Sequence, residues 1–178
     1  VDVWNIHEQI LDEYPEKGAS IPLTCDPALG RRYSYQENDS LEIFIEHIVR
    51  MRQWMQVRGQ RNKPLIVSEY GVMMPEGMGF PQDRVIDFMT RTFTYMLNAT
   101  DSTLGMQDDG NRLVQRWAWY AANLPMNTNE YNGTLFDINT KAITAAGLAY
   151  ARMALNGANP TPTPHGTPLP VSQAREAE

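Results

Sequence analysis

Cysteine is nearly absent. Cys25 is the only one in 178 residues, so no internal disulfide can form, and its polar setting, Thr24-Cys25-Asp26-Pro27, reads as incidental rather than nucleophilic. Histidine is scarce too: His7, His47 and His165 are scattered without the spacing of a metal site. Basic residues form no cluster and the net charge is −6, which argues against nucleic acid, whose phosphates call for grouped Lys and Arg. No apolar run approaches the roughly 20 residues of a transmembrane helix. There is no Gly-rich phosphate loop and no Gly-x-Ser-x-Gly elbow. The chain opens at Val1, already in an apolar stretch and without a signal peptide, which reads as a cut through a larger protein.

What is there suits one globular domain with a real core: 42% hydrophobic and 20% charged residues. Val1-Asp-Val-Trp-Asn-Ile-His7 alternates like a strand and leads into a polar, Pro- and Gly-bearing loop that runs to about Asn38. Asp39-Ser40 can cap a helix to about Arg58, with Leu41, Ile45, Ile48, Met51 and Met55 at helical spacing and Gly59 as its stop. Lys63-Pro-Leu-Ile-Val-Ser-Glu69 is a short apolar run of the kind that parallel sheets bury. A second helix is predicted over 82–99, with Val85, Phe88, Met89, Phe93 and Met96 inward; a third strand over 113–120; and a last helix over 140–155. Strand and helix in strict alternation is the βα repeat of a parallel α/β sheet. Beyond residue 155 the composition changes to Asn-Pro-Thr-Pro-Thr-Pro-His-Gly-Thr-Pro-Leu-Pro, an extended Pro/Thr-rich linker or tail that cannot pack a core.

Ser68-Glu69-Tyr70-Gly71 is the segment richest in chemistry. Glu69 sits where a buried strand meets its following loop, and an ionisable group there is costly unless it is hydrogen-bonded or working. The period of two groups it with Leu65 and Val67, and Gly71 permits a sharp exit behind it. His7 ends the first strand in the same way, with Val3 and Asn5 on its face, and can hydrogen-bond a substrate hydroxyl or orient a carboxylate. On the third strand Gln115, Trp117 and Trp119 share a face; Trp119, nearest the C-terminal end, is a candidate platform for the apolar face of a sugar ring. The plainer alternatives are an ion-paired Glu69, a structural His7 and core tryptophans.

In their order and spacing these stretches resemble the retaining glycoside hydrolases of clan A, most closely the glycosyl hydrolase catalytic core proteins related to β-1,3-glucanases. Lys63–Gly71 resembles that clan's seventh strand, whose Glu is the nucleophile; Arg116-Trp-Ala-Trp-Tyr120 resembles the eighth; and Val1–His7 resembles the sixth. Leu135-Phe-Asp137 followed by Ala145–Tyr150 resembles the closing segment. The resemblance covers roughly residues 1–155. It implies the C-terminal part of a (β/α)₈ TIM barrel, about strands 6 to 8 with their helices, since a whole barrel needs about 250 residues.

It further implies an extracellular or cell-surface glycosidase acting on a polysaccharide or oligosaccharide, such as a β-glucan, without metal or organic cofactor. Glu69 would be the nucleophile, with His7, Tyr70 and Trp119 binding substrate. The clan's acid/base Glu lies on a fourth strand that has no counterpart here, so the chain by itself is expected to be inactive and to need the N-terminal barrel half. Two other accounts remain open at this point: a non-catalytic carbohydrate-binding or cell-surface module on the same scaffold, and an independent α/β domain of unrelated function.

Overall fold

In a computed structural model of the protein, residues 1–14, 17–18, 26, 28, 30–124 and 131–155 are described. The Pro/Thr-rich stretch from 156, with His165, and Cys25 lie outside them.

Three strands, β1 (Trp4–Glu8), β4 (Leu65–Tyr70) and β5 (Arg116–Trp119), form one parallel sheet in the order β1-β4-β5. Two short strands between the first two, β2 (Glu13–Tyr14) and β3 (Lys17–Gly18), pair antiparallel. Helices α1 (Leu41–Val57), α2 (Gln82–Asn98) and α3 (Ala145–Leu155) follow β1, β4 and β5 in turn. The α/β class and the βα alternation expected from the sequence are therefore present.

Local chemistry accounts for the boundaries. Ser40 caps α1, its hydroxyl accepting from the Ile43 N–H at 3.3 Å, and Gly59 follows the helix with φ +65°, a value glycine tolerates without strain. The third strand is shorter than predicted: the Leu113 N–H goes to the Ala99 carbonyl, the Leu113 carbonyl accepts from Arg52 Nε, and the Leu65 N–H is taken by the Gln115 side chain instead of a strand partner. The last helix starts at Ala145 rather than near Thr140, because Asp137 gathers the N–H groups of Asn139 and Thr140 into a turn.

All three helices cover one side of the sheet. The core between them holds Phe44, Ile48 and Met55 of α1, Leu65, Val67 and Tyr70 of β4, and the five inward residues predicted for α2, all buried. On α1 the predicted stripe is only partly right. Its fully buried residues are Phe44, Ile48, Arg52 and Met55, whereas Ile45 and Met51 lie at the flanks.

Arg52 is the unexpected member of that stripe, with 0% exposure. A buried guanidinium is tolerable only if its N–H groups are occupied. Here Nε donates to the Leu113 carbonyl at 2.6 Å, Nη1 to the Arg61 and Lys63 carbonyls at 3.2 and 3.1 Å, and Nη2 to Gln115 Oε1 at 2.6 Å. Burial draws its pKa down to about 10, which leaves it charged at neutral pH. The same Gln115 oxygen accepts the Leu65 N–H at 2.8 Å, and the Gln115 amide donates to Asp109, itself paired with Arg112. One arginine thus ties α1 to the entries of both β4 and β5. Arg52→Met keeps the volume but orphans several carbonyl groups; a destabilisation of about 3 kcal/mol is expected, read as a lowered urea midpoint with an unchanged slope.

Candidate active site

The side of the sheet away from the helices carries Asn5 and His7 of β1, Ser68 and Glu69 of β4, and Arg116 and Ala118 of β5. Of these Asn5, His7, Arg116 and Ala118 are exposed. At the C-terminal end of this open face His7 Nδ1 stands 3.7 Å from Glu69 Oε2, with side-chain exposures of 55% and 43%. Next to them Asn5 Nδ2 donates to Ser68 Oγ at 2.7 Å, a second cross-strand link on the same face.

Glu69 reaches this face through an irregularity in β4. Against β1, Ile6 pairs with Val67 and His7 with Glu69, so Ser68 has no partner of its own. Against β5, Val67 pairs with Trp117 and Tyr70 with Trp119, leaving two residues of β4 opposite Ala118 alone. Both neighbours therefore record one extra residue in β4, a β-bulge. The bulge breaks the period of two. Leu65 and Val67 face the helices, and so does Tyr70, while Ser68 and Glu69 are left on the open side. The sequence-based grouping of Glu69 with Leu65 and Val67 is corrected accordingly.

Tyr70 and Trp119 do not join His7 and Glu69. Tyr70 is fully buried, its ring 5.3 Å from Phe44, 6.1 Å from Phe93 and 5.1 Å from Trp119, and its hydroxyl accepts from Thr92 Oγ1. Burial holds its phenol well above the ordinary range. Trp119 is 6% exposed, edge-on to Tyr70, with Nε1 donating to the Gly133 carbonyl at 2.7 Å. Both are aromatic core between sheet and helices rather than substrate contacts on the open face, because Trp119 keeps step with Trp117, which packs on Phe93. Strand alternation instead assigns the open side to Tyr120, half-buried one residue further on and held by its N–H to the Tyr70 carbonyl at 2.8 Å.

The loops behind this end are cross-braced. Asn38, fully buried, donates from Nδ2 to the Ile10 carbonyl at 2.6 Å and accepts the Met73 N–H at 2.7 Å, joining the loop after β1 to the loop after β4. Its neighbour Asp39 holds Arg84, whose guanidinium also lies 4.0 Å over the Phe80 ring. Asn132 donates to the Phe80 carbonyl at 3.0 Å, which brings in the loop after β5. Gly71 lets the exits of β4 and β5 converge: a Cβ there would lie 2.6 Å from the Tyr120 carbonyl oxygen.

On the helix side of β1, directly behind His7, sits a chain of polar groups that neither residue pattern nor spacing revealed. Glu8, 5% exposed, bonds His47 Nδ1 at 2.8 Å, and His47 Nε2 bonds the Tyr33 hydroxyl at 2.6 Å. Burial raises the Glu8 carboxyl, a rise only partly offset by its bond to His47. Burial opposes charge on His47 as well, but the bond and charge of Glu8 outweigh it and raise the imidazole.

Among the described residues no group of three or more His, Cys, Asp or Glu side chains is placed to hold a metal ion, and no helix is long and apolar enough to cross a membrane. No family model, no curated protein and no solved structure matches this chain.

Both Glu8 and His47 bind protons more tightly folded than unfolded. Stability should therefore fall as pH rises from the ordinary carboxyl value of 4.5, past the ordinary imidazole value of 6.5 and through the raised value of His47. Asp12, depressed by its hydrogen bond to Arg32, and Asp101, depressed by bonds from Thr103, act oppositely in more acid solution. Unfolding free energy measured against pH should peak under mildly acidic conditions, and Glu8→Gln should flatten its alkaline decline.

Proposed function

We propose that this chain is the C-terminal part of a retaining (β/α)₈ glycoside hydrolase and that Glu69 is its nucleophile. The observation that carries the reading is the placement of Glu69 and His7: two ionisable groups at the C-terminal ends of adjacent parallel strands, on the face the helices leave open. Active sites of (β/α)₈ enzymes lie at that end of the strands. Sequential strand order with a helix after each strand supports a barrel segment over a doubly wound sheet, in which the order reverses.

Ionised Glu69 attacks the anomeric carbon through an oxocarbenium-like transition state and forms a glycosyl-enzyme. A second carboxyl group, about 5–5.5 Å away, protonates the leaving oxygen and then activates the water that releases the sugar. In this reading it comes from the N-terminal half of the barrel, so residues 1–178 alone are inactive. His7 donates to Glu69 or to a sugar hydroxyl and holds the carboxylate in line. Tyr120 takes the platform role first assigned to Trp119. The substrate is a polysaccharide or oligosaccharide, and the Pro/Thr-rich tail suits an extracellular or cell-surface enzyme.

In the full-length protein Glu69→Gln should lower glycoside turnover by about 10⁴-fold or more while leaving glycan binding in place. Undiminished hydrolysis in that variant would reject the assignment. Binding without turnover in the unaltered protein would favour the carbohydrate-binding module instead.

A further inference from the structure

The Glu8–His47–Tyr33 chain borders an open cleft whose wall also includes His7, Gln9, Arg31 and Arg50. Its geometry is fixed from several sides. Arg32 grips Asp12 through two bonds of 2.7 and 2.9 Å, and Asp12 accepts the Tyr33 N–H at 3.2 Å, which seats the backbone of Tyr33. The Tyr33 ring lies 5.6 Å from the His47 ring. His47 rides on α1, and Glu8 ends β1, so neither partner is on a free loop.

With Glu8 ionised, the hydrogen bonds allow two states. Glu8 accepts at Nδ1, so Nδ1 carries a proton whenever Glu8 is ionised. Neutral His47 then has a bare Nε2, and the Tyr33 hydroxyl must donate to it. When His47 takes up a proton from solvent, Nε2–H becomes a donor and the Tyr33 oxygen must accept. The phenol keeps its own proton throughout, and that hydrogen turns away from His47 toward a new acceptor.

We propose that Glu8, His47 and Tyr33 form a proton-controlled donor switch, in which protonation of His47 reverses the hydrogen bond to Tyr33 and offers the phenol hydrogen to an oxygen acceptor in the cleft. Glu8 from β1 faces the imidazole directly, while Glu13 from β2 and Glu46 from α1 add negative charge around it. Arg31 acts on Tyr33, and Arg31 and Arg50 share Glu46 Oε1, each at 3.3 Å, so one carboxylate faces both of the cleft's guanidinium groups. Burial and the neighbouring carboxylates keep the Tyr33 phenol above its ordinary range, consistent with a hydroxyl that stays protonated in both states. The inference goes beyond the glycosidase reading and holds whether or not Glu69 turns over a glycoside.

The test is an imidazole ¹⁵N titration of His47 in the intact protein, paired with the tyrosine Raman doublet of wild type minus Tyr33→Phe, which distinguishes donor from acceptor phenols. In alkaline solution the Nδ1–H tautomer is expected, with Nε2 unprotonated. On acidification both nitrogens should protonate with a midpoint above the ordinary 6.5, and the Tyr33 doublet should change from donor to acceptor at that same midpoint. Glu8→Gln should move the midpoint down. An Nε2–H tautomer in alkaline solution would overturn the proposal, as would a doublet that stays constant while His47 titrates. The tautomer is read on the unaltered protein, so a variant that fails to fold does not leave the question open.

Discussion

The single extra residue in β4 is the constraint on which the candidate site depends. A regular strand from Leu65 to Tyr70 would send Glu69 to the helix side with Leu65 and Val67, and Tyr70 to the open face. Inserting Ser68 between the pairs Ile6–Val67 and His7–Glu69 reverses that outcome. Tyr70 then completes the aromatic core with Phe44, Phe93 and Trp119, while Glu69 is delivered beside His7. The two consequences support each other energetically. Burial of a large aromatic ring contributes about 1.5–3 kcal/mol, which holds the strand in the register that exposes the carboxylate. Bulges beside active sites commonly re-aim one side chain in this way.

The two ends of the sheet are organised by different means. At the N-terminal end Arg52, Gln115 and Asp109 form a closed polar network that replaces missing strand hydrogen bonds and joins α1 to both following strands. At the C-terminal end Asn38, Asp39 and Asn132 brace one loop against another. The N-terminal end is thus tied together by a buried guanidinium, and the C-terminal end by side-chain links from loop to loop. The Glu8–His47 pair belongs to the C-terminal end, where it anchors the last residue of β1 and hence the residue before it, His7.

Much of this architecture was legible in the residues themselves. The five inward positions of α2 recur at a clean helical period, and all five are buried. The run Leu65–Val67 is apolar and short, as a central parallel strand should be. Facing was harder to read. A bulge leaves no mark in a period-two count, so that count groups Glu69 with the wrong neighbours, and Tyr70 and Trp119, which the resemblance gives to substrate, are core. An aromatic side chain at a strand end serves either purpose equally well in sequence. Arg52 was invisible for a similar reason: within a helical stripe an arginine reads as a flank until the carbonyl groups that receive it are in place. The Glu8–His47–Tyr33 chain joins residues up to 39 apart, and only the fold brings them together.

The most direct test of the central claim is covalent trapping. An activated 2-deoxy-2-fluoro glycoside incubated with the full-length protein slows release of a glycosyl-enzyme, so the nucleophile stays labelled and can be located by peptide mass mapping. One adduct is expected, on the peptide that carries Glu69 and at Glu69 itself. An adduct on another carboxylate, or hydrolysis with inversion and no adduct, would contradict it.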